Sequence, residues 1–311
     1  MDHVTRLNVG IRIPAVHPTD LAALRAFVMH VEELGFHSIW VGDHVLYPTD
    51  VPEPLELLSW VAALTSRVRL GTAVMLGAYR QPVLLAKAAA TLDYLSGGRL
   101  SLGLSIGGTA AEYASLGVPM RQRVGRLLES VAVMRELWRK DDVTFAGRYI
   151  NLEHASIHPK PAQEHGVPVY FGATGEAMRQ RAAQHADGWI GSAGSSIERY
   201  LTDVESTART LTELNRDAGS FVFAKLQGVS VHSDASEARA VAERQWRSYY
   251  GPRFDVETVT VYGTPAECAQ ELGRLLAAEI PELTVIVEPP TLGLVQLDLL
   301  WEAVTQVVAA V

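Results

Sequence analysis

The chain is short of several things at once. It has one cysteine, Cys268, so no intrachain disulfide can form and a cysteine-built metal site has nothing to build on. Positive charge is scarce: 27 Lys and Arg stand against 35 Asp and Glu, a formal net charge of −8 with the 10 histidines counted neutral. A sequence-independent grip on nucleic acid or on an anionic membrane wants a basic stripe, so neither partner is expected. A phosphorylated cofactor stays open, because backbone amides hold phosphate without net positive charge. His154 and His158 lack a third partner at metal-ligand spacing, and no metal is expected. The most apolar long stretch, 292–311, is broken by Asp298 and Glu302. Its Leu294, Leu297, Leu300/Trp301, Val304 and Val308 recur at helical spacing, which describes an amphipathic helix against a core rather than a membrane span. The first residues, Met1 to Pro14, lack the basic-then-apolar order of a secretory leader. A cytoplasmic setting is the expectation.

What the 311 residues do have is core-forming material, 48% hydrophobic against 20% charged. Short apolar runs alternate with helical periodicity. The expected strands are Leu7–Ile13, Ser38–Val41, Val68–Val74, Leu100–Ser105, Val167–Phe171, Gly188–Ile190, Val222–Val231 and Leu283–Val287. Helices are expected from an N-cap at Thr19 to Gly35, at Pro54–Leu64, from Pro82 to Gly97-Gly98, and at Arg121–Trp138. More follow at Gly175–Ala186, Ser195–Ala218, Ala235–Trp246, Pro265–Glu279 and the C-terminal segment. Two excursions stand out: a connection over Ile106–Met120, and Arg139–Gly166 with a small hairpin at Val143–Leu152. Eight strands, nearly all followed by helices, demand parallel pairing and favour closure into a (β/α)8 barrel over an open doubly wound sheet. One domain over 1–311 is expected, with insertions at the C-terminal face.

Active sites of such barrels lie at the C-terminal ends of the strands. After the second strand comes Asp43-His44, an acid beside an imidazole that titrates near neutrality. From the residues alone this is equally a proton carrier with a binding carboxylate, or a loop-capping Asp with a surface His. Gly103-Leu-Ser-Ile-Gly107-Gly108 follows the fourth strand, and Gly172-Ala173-Thr174-Gly175 joins the fifth to a helix. Two glycine turns at neighbouring strand ends favour a phosphate seat over plain turns. Glu112 and Tyr113 read as a solvated loop face, and Arg121, Arg123 and Arg126 as helix-surface charge. Tyr249, Tyr250 and Phe254 fit an aromatic lid and a packed loop equally well.

Taken together the motifs resemble a family. Ile39-Trp-Val-Gly-Asp43-His44, Arg69-Leu-Gly-Thr-Ala-Val74, Gln81-Pro82 through Ala88 with Leu92-Asp93, and Ser96-Gly-Gly-Arg99 look like luciferase-like oxidoreductases. So do Gly147-Arg-Tyr149, Pro159-Lys-Pro161, Ala186-Asp-Gly-Trp189 and Gly263-Thr-Pro265, with spacing kept from about Gly10 to Val287. The resemblance implies a TIM barrel with a cofactor across its C-terminal mouth. It implies coenzyme F420, a deazaflavin, with FMN as the alternative, because the bulky Trp that many flavin-using members carry after the glycine pair is absent. It further implies that Asp43 and His44 serve the ring and proton transfer. A non-prolyl cis peptide is implied at Ala73-Val74 behind the ring, and Gly107, Gly108, Ala173, Thr174 and Gly175 are implied to seat the phosphate and tail. Thr109 stands where some deazaflavin sugar-phosphate dehydrogenases carry a Glu, which argues against that specific activity. The implied reaction is hydride transfer to or from a small organic substrate. A reduced-FMN monooxygenase served by a flavin reductase is the alternative, and a non-catalytic flavin-binding protein the third. A homodimer is implied.

Overall fold

A computed structural model describes residues 6–15 and 20–309. Its eight barrel strands are β1 (Arg6–Arg12), β2 (Ser38–Val41), β3 (Arg69–Thr72), β4 (Leu100–Ser105), β5 (Val169–Gly172), β6 (Gly188–Gly191), β7 (Val222–Val231) and β8 (Glu282–Glu288). All neighbours pair in parallel, and β8 lies between β7 and β1, running from Arg6 opposite Glu282 to Ile11 opposite Val287. That last pairing closes the sheet into a (β/α)8 barrel. The helices wound around it are α1 (Leu21–Leu34), α2 (Pro54–Leu64), α3 (Pro82–Ser96), α4 (Arg123–Arg139), α5 (Glu176–His185), α6 (Ile197–Glu213), α7 (Ala235–Tyr250), α8 (Pro265–Leu276) and α9 (Leu294–Ala309).

The period-two pattern of the strands makes two cores. On β2, Ile39 and Val41 face the helix layer while Trp40 faces inward. Trp40, Ala73, Tyr170, Ile190, Ala224, Leu226 and Ile286 fill the barrel interior. Above this plug the interior turns polar: Arg12 from the end of β1 meets Glu288 from the end of β8 at 2.5 Å, both nearly inaccessible.

The structure departs from the sequence reading in several places. Thr19 lies outside the described residues, and Asp20 caps α1, accepting from the amides of Ala22 and Ala23 at 2.8 and 3.2 Å. The apolar run Val68–Val74 breaks after Thr72; the Ala73–Val74 peptide is cis, and pairing resumes where Met75–Leu76 meets Leu104–Ser105. The Ile106–Met120 connection contains a helix, Ala110–Ser115, closed by a capping box of Thr109 and Glu112. Helix α7 runs past the expected end at Trp246 to Tyr250, and Thr260–Gly263, not expected as a strand, pairs with Gly228–Val231 of β7. That β-branched run was too short to register as a strand until a partner was beside it.

Gly42 is dictated by the polar layer. A Cβ there would overlap the Arg12 guanidinium. Gly42→Ala should lower stability by about 1–3 kcal/mol, the usual cost of overpacking. Chemical denaturation checks this, and a wild-type midpoint would mean the ion pair has room to yield.

Candidate active site

The C-terminal strand ends converge on two adjoining features. The first is a cavity of about 440 Å³, lined by Ala73 and Val74 after β3, Ile106 and Gly107 after β4, Ala173–Gly175 after β5, and Ile190 and Leu226. Its size and mostly apolar wall suit a small ligand or a flat ring. Six of the nine residues singled out in the sequence therefore meet here: Ala73, Val74, Gly107, Ala173, Thr174 and Gly175. Gly108, in the left-handed region at φ 101°, sits a step away beside Tyr79 and Tyr113.

The turn after β5 is braced from behind. Trp189 donates to the Ala173 carbonyl at 2.9 Å, and Arg179, paired with Asp203 at 2.9 Å, donates to the Thr174 carbonyl at 3.2 Å. Gly175 is the N-cap of α5, and among the described residues no side chain caps it. The first amides of that helix therefore lack intrahelical partners and offer an anion seat at the cavity rim. Gly172 must be small, since a Cβ would come within 2.7 Å of Val74.

The second feature is the loop after β2. Asp43 is buried, and its Oδ2 accepts from the Leu76 amide at 2.9 Å and from Arg80 at 2.7 Å. Arg80 reaches on to Glu53 at 2.6 Å, tying the ends of β2 and β3 to the start of α2. His44 is half-buried and stacks on Tyr47 with centroids 4.0 Å apart. Tyr249 meets the His44 ring edge-on at 6.3 Å, and the Tyr47 hydroxyl donates to the Tyr249 carbonyl at 2.6 Å. Tyr250 and Phe254 continue this aromatic row, so the aromatics that fitted a lid and a packed loop equally well in the sequence pack on one another as a wall. The two features touch through Leu76, whose amide holds Asp43 and whose side chain packs over Gly107.

Glu112 corrects the sequence reading. It is 1% exposed, not a solvated loop residue, and so is Tyr113, whose hydroxyl donates to the Ile106 carbonyl at 3.0 Å. One Glu112 oxygen accepts from the Val45 and Leu46 amides, each at 3.3 Å, and the other from the Thr109 amide at 2.8 Å. Burial pushes its carboxyl up, but these amides and His44 outweigh burial and hold it below the usual carboxylate range. The sequence did carry a signal for this, Thr109 followed three residues later by Glu112, the spacing of a capping box. The arginines of the same region stay peripheral: Arg126 bonds Gln122 at 3.1 Å and covers the Tyr149 ring.

Burial pushes the His44 imidazole below its ordinary 6.5; Glu112 and Asp43 pull it up, and Arg12 pushes it further down. The ring is therefore neutral at pH 7 and ready to take a proton. A folded value under the unfolded one means the native state binds fewer protons, so this group's contribution to stability is present above pH 6.5 and fades as pH falls. An NMR titration of the His44 ring should give a midpoint under 6.5. A midpoint at or above that value would show that the carboxylates win over burial.

Known proteins share this architecture. An F420-dependent glucose-6-phosphate dehydrogenase of Kineococcus radiotolerans is 38% identical over 209 residues. That match covers 62% of this chain and 61% of the relative, so the chain spans about three fifths of that protein's length. Two solved structures superpose over 96% of the chain. One is an F420-dependent secondary alcohol dehydrogenase in complex with an F420-acetone adduct, with TM-score 0.82, 22% identity and 98% of its own chain covered. The other is a monooxygenase from Streptomyces bottropensis, with TM-score 0.81, 21% identity and 99% covered. At such identities the structures speak for the fold alone. The luciferase-like monooxygenase family model, however, matches residues 7–281, nearly the whole described barrel, and the chain belongs to that family.

Proposed function

We propose that the protein is an oxidoreductase that moves a hydride between coenzyme F420 and a small organic substrate, with His44 carrying the accompanying proton. The observation that carries this reading is the juxtaposition at the barrel mouth. An apolar cavity ends at an uncapped helix N-terminus, and Leu76, whose side chain packs over Gly107 of the cavity wall, holds the carboxylate of Asp43, the residue before the neutral His44 imidazole. The residues present fit a deazaflavin. Ala73, Val74, Ile190 and Leu226 offer flat apolar contact, and the exposed rim of Thr174 and Gly175 offers amides to a phosphate.

Bound F420 supplies a ring carbon that accepts or returns a hydride and reacts poorly with oxygen. The chain's part is placement, exclusion of water and proton transfer. Asp43, locked by Arg80 and the Leu76 amide, holds the ring-edge position next to His44. Gly107 and Gly108 let the backbone approach the cofactor closely, and Ala173, Thr174 and Gly175 take its phosphate and tail. The relatives named for F420 support the cofactor; Thr109, at the place of a Glu in some sugar-phosphate dehydrogenases, directs the substrate search elsewhere, toward alcohols and activated alkenes. A cytoplasmic setting and one luciferase-like domain complete the reading. Among the described residues no helix is long and apolar enough to cross a membrane.

Calorimetric titration with F420 and, in parallel, FMN tests the cofactor. Micromolar or tighter F420 binding with FMN much weaker is expected; the reverse would make the protein a reduced-FMN monooxygenase in need of a reductase. His44→Ala should spare F420 binding and cut turnover by roughly 10²–10⁴. Unchanged turnover would remove His44 from the mechanism. Asp43→Ala should weaken F420 affinity.

A homodimer is part of the proposal. Leu84 and Leu95 are 69% and 73% exposed, and with Ala88 and Thr91 they form one stripe of α3 beside Leu55 and Ser59 of α2. Sedimentation should show a dimer that Leu84→Glu with Leu95→Glu converts to monomer. A wild-type monomer would end this part of the reading.

A further inference from the structure

We propose that Glu112 is the positioning partner of His44: its carboxylate selects the Nδ1–H form of the imidazole and holds the ring's charge when Nε2 carries the reaction proton. This rests on the reading of His44 as the proton carrier.

Glu112 comes from the connection after β4, a different element from the loop that bears His44. Its Oε1 lies 3.8 Å from His44 Nδ1. Nδ1 is buried and, among the described residues, has no hydrogen-bond partner. About a quarter of the His44 side chain is accessible, and since Nδ1 is not, that access belongs to the rest of the ring. The arrangement therefore turns Nδ1 toward Glu112 and leaves the far side of the ring for substrate.

The carboxylate is fixed before it meets the ring. The amides it accepts on Oε1 are those of Val45 and Leu46, the two residues after His44, so Glu112 clamps the loop that aims the imidazole. Its Oε2 is held by the Thr109 amide in the capping box. Both carboxylate oxygens accept from backbone amides, which a glutamine with its single acceptor oxygen could not match, so the site is built for a carboxylate. A carboxylate with 1% side-chain exposure is costly unless a cation answers it. Among the described residues no lysine or arginine pairs with Glu112, and the cation on offer is His44 in its protonated state.

The other groups facing His44 do not replace Glu112. Asp43, on the same loop, gives its Oδ2 to Arg80. Arg12, beneath from β1, opposes protonation. Tyr47 and Tyr249 present rings. At 3.8 Å the Nδ1–Oε1 contact is too long for a hydrogen bond, but a shift of about 1 Å brings it to the charge-assisted range. Such tightening on substrate binding is usual for catalytic pairs. In the oxidising direction the substrate O–H bond breaks and its proton joins the Nε2 lone pair. The C–H electron pair would leave as hydride for the deazaflavin that the cavity residues would hold, and the alcohol would become a carbonyl. The Nδ1–H, now on an imidazolium, faces Glu112. Reduction reverses each step.

Isotope-labelled histidine in the ligand-free protein tests the pair directly. Long-range nitrogen–proton correlations should show neutral His44 as the Nδ1–H tautomer. Glu112→Gln, which keeps one acceptor oxygen and removes the charge together with the second acceptor, should lower the His44 midpoint by about one pH unit. It should also cut turnover roughly tenfold, with F420 affinity unchanged. Thr109→Val removes the capping hydroxyl and keeps the carboxylate, so its His44 midpoint should stay at the wild-type value. An Nε2–H tautomer in the wild type, an unmoved midpoint in Glu112→Gln, or an equal shift in Thr109→Val would each overturn the proposal. Because the titration needs no cofactor, failure of F420 to bind would bear on the cofactor reading alone.

Discussion

The pairing of β8 with β1 is the constraint from which the rest follows. Until those two strands bond, the parallel sheet has two edges and its C-terminal ends fan apart. Once they bond, the ends of β2, β3, β4 and β5 are drawn around one mouth, and residues more than a hundred positions apart line one cavity. Closure also creates an interior that must be filled. Trp40 and Tyr170 are its largest side chains, joined by small and branched residues from the other strands.

Closure brings its own electrostatic demand. Arg12 and Glu288 end adjacent strands and point to the same interior layer, where water is scarce. A buried ion pair of this kind adds little net stability, since desolvation consumes most of the attraction, but losing one partner leaves a stranded charge. Arg12 Nε and Glu288 Oε2 are buried without partners among the described residues. The pair acts as a polar floor under the loop bearing Asp43 and His44, and its positive end helps keep His44 neutral.

Above that floor the site divides into an apolar cavity and a polar cluster, and the division has a physical logic. Under the proposed function the apolar walls would suit a flat ring, and the buried carboxylates would suit a proton carrier sheltered from water. Leu76 serves both, its amide toward Asp43 and its side chain toward Gly107. The aromatic row from Tyr47 through Tyr249 to Phe254 begins on one face of the histidine ring, which Tyr47 covers.

Much of this was legible in the residue order. Period-two and helical spacings are local, so the barrel strands, most helices and the strand-end glycines and Asp43-His44 could be read directly. Family resemblance added the position of the cis peptide and the neighbourhood of Ala173–Gly175. What escaped was whatever depends on a distant partner. Thr260–Gly263 is a strand because β7 lies alongside it, and Val68–Val74 is interrupted because pairing shifts after Thr72. Glu112 looked solvated because a carboxylate in a loop usually is; the loop after β2 folds over it and supplies the amides that make its burial tolerable. Sequence alone determined the alternation that permits a barrel and the side chains capable of chemistry. Tertiary structure decided which of them meet, because burial and hydrogen-bond partners are properties of the closed sheet and not of the chain.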